Sequence, residues 1–207
     1  MLVAGLTGSI ATGKSTVATI LKDLGAFIVD ADSAAREVVA PGMKAWDAIV
    51  RIFGHETLLK TGEIDRQALA RIVFNDAAMR SILEEAVHPE VMRSMNDQVR
   101  SISARSPDAV VILDVPLLIE TGMHTGVSEV IVVYCPEVMQ IERLMARDGI
   151  RREEALVRVR AQISIEEKRR YASLLIDNSA SKDETRAQVV DAYGLLRDKA
   201  ATGKRRG

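Results

Sequence analysis

The sequence predicts an α/β fold built on a five-stranded parallel sheet, and three observations carry that expectation. Short apolar, β-branched runs recur along the chain, segments with helical spacing separate them, and a glycine-rich segment stands where the first run gives way to the first helix. The chain has 207 residues, 47% hydrophobic and 28% charged, a composition suited to a globular domain and unlike that of disordered or fibrous chains. Its length exceeds one minimal domain without reaching two, which leaves room for an insertion.

Taken in order, Leu2 to Thr7 is a short apolar run ending at Gly8, the first strand. From Lys14 the apolar positions Val17, Ile20, Leu21 and Leu24 recur at helical spacing, and Gly25 supplies the stop. Phe27 to Val29 reads as the second strand, and Ala109 to Leu113 and Val130 to Tyr134 as the third and fourth, β-branched enough to be covered on both faces. Leu174 to Ile176 is the fifth. Between the second and third strands no strand pattern occurs. There Pro41-Gly42, Thr61-Gly62 and His88-Pro89 each predict a turn or a helix boundary. A parallel crossover needs only about a dozen residues, so the excess predicts an inserted helical subdomain. The expected organisation is a core of residues 1–32, 107–140 and 172–207, an insertion over 33–106, and a separate segment over 141–171.

That last segment is basic. Between Arg143 and Arg170, nine Lys and Arg residues face five Asp and Glu. A solvated helix face laced with i,i+4 pairs accounts for most of them, and a lid over phosphates is the alternative. The Lys204-Arg205-Arg206 run reads as a frayed tail.

Charge and composition exclude several classes. Lys and Arg number 28 against 29 Asp and Glu, a net charge of -1, so no bulk positive field exists to hold a nucleic acid. Aromatic residues at 3% leave little for base stacking. No apolar run approaches the roughly 18 residues of a membrane span. Cys135 is the single cysteine, read as a small apolar filler at a strand end, and the N-terminal Met1 to Ser9 stretch lacks the features of a secretory leader. These features predict a cytoplasmic protein with neither nucleic acid nor membrane as partner. No heptad seam defines an oligomer, and His55 and His124 show no metal-ligand spacing.

The chemical signal is at the first strand-to-helix junction. Gly8-Ser9-Ile10-Ala11-Thr12-Gly13-Lys14-Ser15 fits G-x-x-x-x-G-K-[ST], the phosphate loop, after a strand and opening a helix. Its glycines let successive backbone N–H groups and the helix dipole surround phosphates. Lys14 adds a mobile cation for the β and γ oxygens, and the Ser15 hydroxyl suits Mg²⁺. Asp30, Asp32 and Asp114 fall at strand ends, where such a sheet places its ligands; each could hold the metal's water shell or accept a proton, or merely cap the next helix. Asp114 is followed by Val115-Pro116-Leu117, and neither the guanine-reading N-K-x-D nor the transporter L-S-G-G-Q occurs. A small-molecule kinase remains.

Longer stretches resemble one family. Asp30-Ala31-Asp32; Gly62-Glu63-Ile64-Asp65-Arg66 with Leu69 and Val73-Phe74; His88-Pro89; Asp114-Val115-Pro116-Leu117-Leu118 with Glu120; Gln140, Arg143, Arg147, Gln162 and Lys168; and Ile176-Asp177-Asn178 together resemble the dephospho-CoA kinases. The resemblance implies a three-layer P-loop kinase fold with a helical acceptor-binding insertion and a helical lid. It implies transfer of the ATP γ-phosphoryl group to the ribose 3′-hydroxyl of dephospho-CoA, with Mg²⁺ as cofactor. It assigns ATP to Gly8, Ala11, Thr12, Gly13, Lys14, Ser15, Thr16 and Asn178, and the metal to Ser15 and, through water, Asp114. Lys14, Asp32 as base, Arg143 and Arg147 become the catalytic set. Thr7, Asp32, Arg66, Phe74, His88, Pro89 and Leu117 become the acceptor set, with a capping or core role for His88 as the alternative. Two positions depart from the family: Ala11 and Ala180 stand where glycine is usual. Ala11 is harmless unless its position needs positive φ. Another P-loop kinase, such as one acting on a nucleoside monophosphate, and an ATP-binding module without catalysis are the competing readings.

Overall fold

The computed structural model describes residues 1–74 and 76–203, so the Lys204-Arg205-Arg206 run lies outside the described residues. The five strands β1 (Leu2–Thr7), β2 (Phe27–Asp30), β3 (Val110–Asp114), β4 (Glu129–Tyr134) and β5 (Leu174–Asp177) form one parallel sheet in the order β2-β3-β1-β4-β5. The helices are α1 (Lys14–Asp23), α2 (Ala31–Glu37), α3 (Lys44–Phe53), α4 (Arg66–Phe74), α5 (Ala77–Arg105), α6 (Glu137–Asp148), α7 (Arg152–Arg160), α8 (Ile165–Arg169) and α9 (Lys182–Gly203).

The apolar runs become the central strands because they are buried almost throughout, β1, β3 and β4 each showing no exposed residue. Leu6 lies beside Asp114 of β3 on one side and Ile131 of β4 on the other. The carboxyl ends of the three strands therefore share one edge, and the chain leaves β1 there between two neighbours, the usual place for a ligand in such a sheet. α1 and α9 cover the sheet through Val17, Ile20 and Leu21 with Val189 and Leu196, which join Leu6, Ile112, Ile131 and Ile176 in one core. α6 and α7 meet through Ile141, Leu144, Ala155 and Val159.

The chain divides into two compact units: Met1–Val29 with the chain from Ile102 on, and Asp30–Ser101. The second is helical. Its core gathers Ile49 and Phe53 of α3 and Leu69 of α4 with Ile64, Leu83 and Val87, and the Trp46 indole donates to the Gly62 carbonyl at 2.9 Å. Thr61-Gly62 turns the chain, with Gly62 at φ 84°, between Leu58 and Ile64, which form an isolated antiparallel bridge. His88-Pro89 marks no boundary, because Pro89 lies inside the 29-residue α5. Apolar positions at helical spacing on both sides of the proline, Leu83 and Val87 before it and Val91 and Met95 after it, carry the helix through the one lost backbone bond.

Candidate active site

The turn from β1 into α1 is fixed by its glycines. A Cβ on Gly8 would stand 2.9 Å from the Val133 carbonyl oxygen, backbone that cannot yield, and one on Gly13 would collide with the Asn178 amide. Gly13 also takes φ 93°, the left-handed region, and has no side chain to cap α1. The first N–H groups of that helix therefore point past its end as donors for an anion. Thr12 closes the loop on itself, its hydroxyl donating to the Ser9 carbonyl at 2.9 Å.

The Lys14 ammonium pairs with the Asp114 carboxylate at the end of β3, side chains only 16% and 5% exposed. Asp30 does something else: its carboxylate accepts from the Ser33 N–H at 2.6 Å and caps α2. Asp32 is exposed in the first turn of α2 and belongs to the second unit.

Ala11 settles the question its departure raised. Its φ is 61°, the one positive value at a non-glycine among the described residues, so the position does need the left-handed region. Its side chain and that of Ile10 pack against the α6–α7 cluster. The Ile10 N–H donates to Gln162 Oε1 at 3.0 Å, and the Ser9 hydroxyl to the Ile163 carbonyl at 3.4 Å. Ala180 has no positive φ, and its turn is held by the Ser179 N–H on Asp177 at 2.9 Å and the Asp177 N–H on Gln188 at 2.8 Å.

On its other side the loop meets β5. Asn178 Nδ2 donates to the Thr12 carbonyl at 2.7 Å, while the Thr185 hydroxyl donates to Asn178 Oδ1 at 2.9 Å. Arg143 donates through Nη2 to the Asn178 carbonyl at 2.8 Å and, at 3.5 Å, through Nη1 to that of Thr12. Arg147, one turn along α6, donates to Asp148 at 2.7 Å and is 60% exposed. That hydrogen bond, with the charges of Arg147 and Arg158, holds the Asp148 carboxyl below the ordinary aspartate range and raises Arg147 in turn. Thr7 Oγ1 donates to the Pro116 carbonyl at 3.0 Å, and Leu117 beside it is half exposed. Cys135 is buried, and burial pushes its thiol up.

In the second unit Arg66 opens α4 and Phe74, 75% exposed, ends it. Arg66 lines a cleft of about 550 Å³ with Pro41, Leu59 and Ile64. His88 and Pro89 are exposed in the interior of α5, so His88 neither caps a helix nor fills a core. The residues that sequence reasoning left without a role are Gln162, Thr185 and Lys168. Each lies in a polar or charged stretch, and only the fold shows Thr185 and Lys168 to be fully buried.

A parallel sheet of this strand order, with a phosphate loop leaving its central strand and an aspartate ending the next, defines a P-loop kinase. The family model for dephospho-CoA kinase matches residues 2–184. The chain is 50% identical to the dephospho-CoA kinase of Geobacter metallireducens over 92% of its length and 94% of the relative's, and 46% identical to that of Bacillus licheniformis over 91% and 93%. Among solved structures, a Thermus thermophilus protein superimposes with a TM-score of 0.82 at 34% identity, covering 94% of this chain and 96% of that one. The dephospho-CoA kinase of Campylobacter jejuni gives 0.72 at 30%, covering 95% and 98%. The chain belongs to the dephospho-CoA kinase family, and its activity is the ATP-dependent phosphorylation of dephospho-CoA. No helix among the described residues is long and apolar enough to cross a membrane.

Proposed function

We propose that the phosphoryl transfer is carried by Lys14, Asp32, Arg143 and Arg147. The observation that supports this most directly is the Lys14–Asp114 pair beside the uncapped N-terminus of α1. The loop amides of Gly8, Ala11, Thr12 and Gly13, with Lys14, Ser15 and Thr16, hold the ATP phosphates, and Asn178 braces the nucleotide side of the loop. Asp32 accepts the proton of the ribose 3′-hydroxyl as its oxygen bonds to the γ-phosphorus. The bond from that phosphorus to the bridging oxygen breaks, and ADP leaves with the electron pair. Arg143 already touches the loop through the Thr12 carbonyl, and Arg147 follows on the same helix. Both belong to the proposed lid, residues 141–171, and offset charge on the transferring group.

Acceptor recognition is assigned to Thr7 and Leu117 of the first unit and to Asp32, Arg66, Phe74, His88 and Pro89 of the second, within a proposed insertion over 33–106. No group of three or more His, Cys, Asp or Glu able to cage a metal exists among the described residues. One hydroxyl, Ser15, and one carboxylate, Asp114, suit an ion that keeps its water and arrives with phosphates, which is how Mg²⁺ binds. Bound there, Mg²⁺ would neutralise charge on the β and γ oxygens. A buried, unpaired Cys135 suits a reducing compartment, and the proposal places the enzyme in the cytoplasm.

The test is turnover coupled to ADP release, with dephospho-CoA and nucleoside monophosphates as acceptors. Asp32→Asn is expected to keep the KM for ATP and lose about 100-fold or more in kcat. Lys14→Ala is expected to cripple ATP use altogether. A normal kcat in the first variant, or near-normal turnover in the second, contradicts the role assigned to that residue.

A further inference from the structure

Lys168 of α8 is fully buried, its side chain 0% exposed, although its neighbours Arg169 and Arg170 are exposed. Its ammonium donates to Glu120 Oε1 at 2.8 Å and to the Pro116 carbonyl at 2.9 Å. The same carbonyl accepts from Thr7 Oγ1 at 3.0 Å. One oxygen thus joins three segments: the last residue of β1, just before the phosphate loop; the loop after β3; and α8, at the end of the charged segment. Upstream, the Val115 N–H donates to the Leu6 carbonyl at 3.0 Å, so the backbone leaving Asp114 is held at successive residues. His124 and Tyr171 add a second tie between the loop after β3 and the chain after α8, their rings edge to face at 5.0 Å.

We propose that Lys168 is a positioning residue for the phosphoryl transfer, fixing through the Pro116 carbonyl the loop that sets Asp114 against Lys14. Stability alone is a weak reason for such a pair, since an apolar pair of similar volume commonly serves a protein interior as well or better. Here the buried ammonium reaches past its counter-ion to a carbonyl two residues from the Asp114 carboxylate, and that carboxylate holds the phosphate-loop lysine. A small displacement of such a group is enough to cost a large factor in rate. The inference rests on Asp114 and Lys14 belonging to the reacting centre.

The experiment compares the full-length enzyme with Lys168→Met, Glu120→Gln, the double variant and Asp114→Asn, each checked for its melting transition and assayed with ATP and dephospho-CoA. Lys168→Met is expected to lose about tenfold or more in kcat while the KM for ATP stays within about threefold. Glu120→Gln keeps a hydrogen-bond acceptor for Lys168 and is expected to melt lower with kcat nearly unchanged. The double variant leaves no unpaired charge where Lys168 and Glu120 met, which removes the main penalty to its folding, and should show the kcat loss of Lys168→Met. Normal kcat in both Lys168 variants, whatever their melting, overturns the proposal. A near-normal Asp114→Asn enzyme overturns the reading of the ion pair and the proposal with it, whereas an inactive one beside normal Lys168 variants overturns this proposal alone.

Discussion

At Ala11 a methyl group occupies a backbone conformation that glycine would take without strain. The left-handed region costs an alanine about 1–2 kcal/mol. Against that, alanine restricts the unfolded chain by about 0.4–1 kcal/mol relative to glycine. Its methyl also packs against the α6–α7 cluster, recovering part of the roughly 0.8 kcal/mol that a buried carbon contributes. These contributions nearly cancel. Ala11→Gly should therefore shift stability by no more than about 0.5 kcal/mol in either direction, while Ala11→Val, β-branched at the same φ, should lose about 2 kcal/mol or more. Urea unfolding of the pair checks this, and a Val variant as stable as the parent would show that the loop relaxes out of the left-handed region. The sequence exposed Ala11 as a departure but not its φ, because whether a loop alanine needs that region depends on the neighbours it packs against.

Among the elements, the strands were legible to within a residue or so at each end: the central β1, β3 and β4 because a run buried on both faces is apolar whatever lies beside it, the partly exposed edge strands β2 and β5 as shorter apolar runs. α5 was not, because the proline that usually ends a helix is outweighed here by apolar positions on both sides of it. Contacts between distant elements left no local trace. β4 and α9 are tied at 2.5 Å by Glu129 and Lys199. Burial raises the Glu129 pKa, but Lys199 and the Ser173 hydroxyl together hold it below the usual glutamate range. A carboxylate whose folded pKa is depressed stabilises the fold at pH above its unfolded pKa, and that contribution fades as pH falls through the folded value. Glu129→Gln should therefore melt below the parent at pH 7, and the gap should close on acidification through about pH 4. A gap that stays constant over that range would remove the ion pair from the account.

At the scale of the whole molecule, 28 basic and 29 acidic side chains leave no long-range field to draw ATP in. The excess of basic side chains in the charged segment is local and partly offset, five of its arginines pairing with carboxylates: Arg147 and Arg158 share Asp148, while Arg151 meets Glu154, Arg160 meets Glu137 and Arg169 meets Glu166. The kcat/KM for ATP should accordingly change less than about threefold between roughly 50 and 200 mM salt, the range over which steered association falls steeply. A steep decline in a stopped-flow or steady-state titration would reveal a field that the charge distribution does not contain. The phosphate loop was legible from its spacing and Asp114 from its place at a strand end, whereas Asn178 came only with the family resemblance. Gln162 and Lys168 stood out only as part of the resemblance, without a role, and Thr185 not at all, because the sequence does not show which backbone group or side chain the fold brings within reach of a polar side chain.

Because Lys14 comes with Asp114 already as its partner, its charge is held in place at the mouth of the loop. An ammonium has three donors, so the carboxylate can aim it while leaving others for a phosphate oxygen. The cation thus needs no search through its rotamers when a ligand arrives: the chain has set that entropy aside in folding.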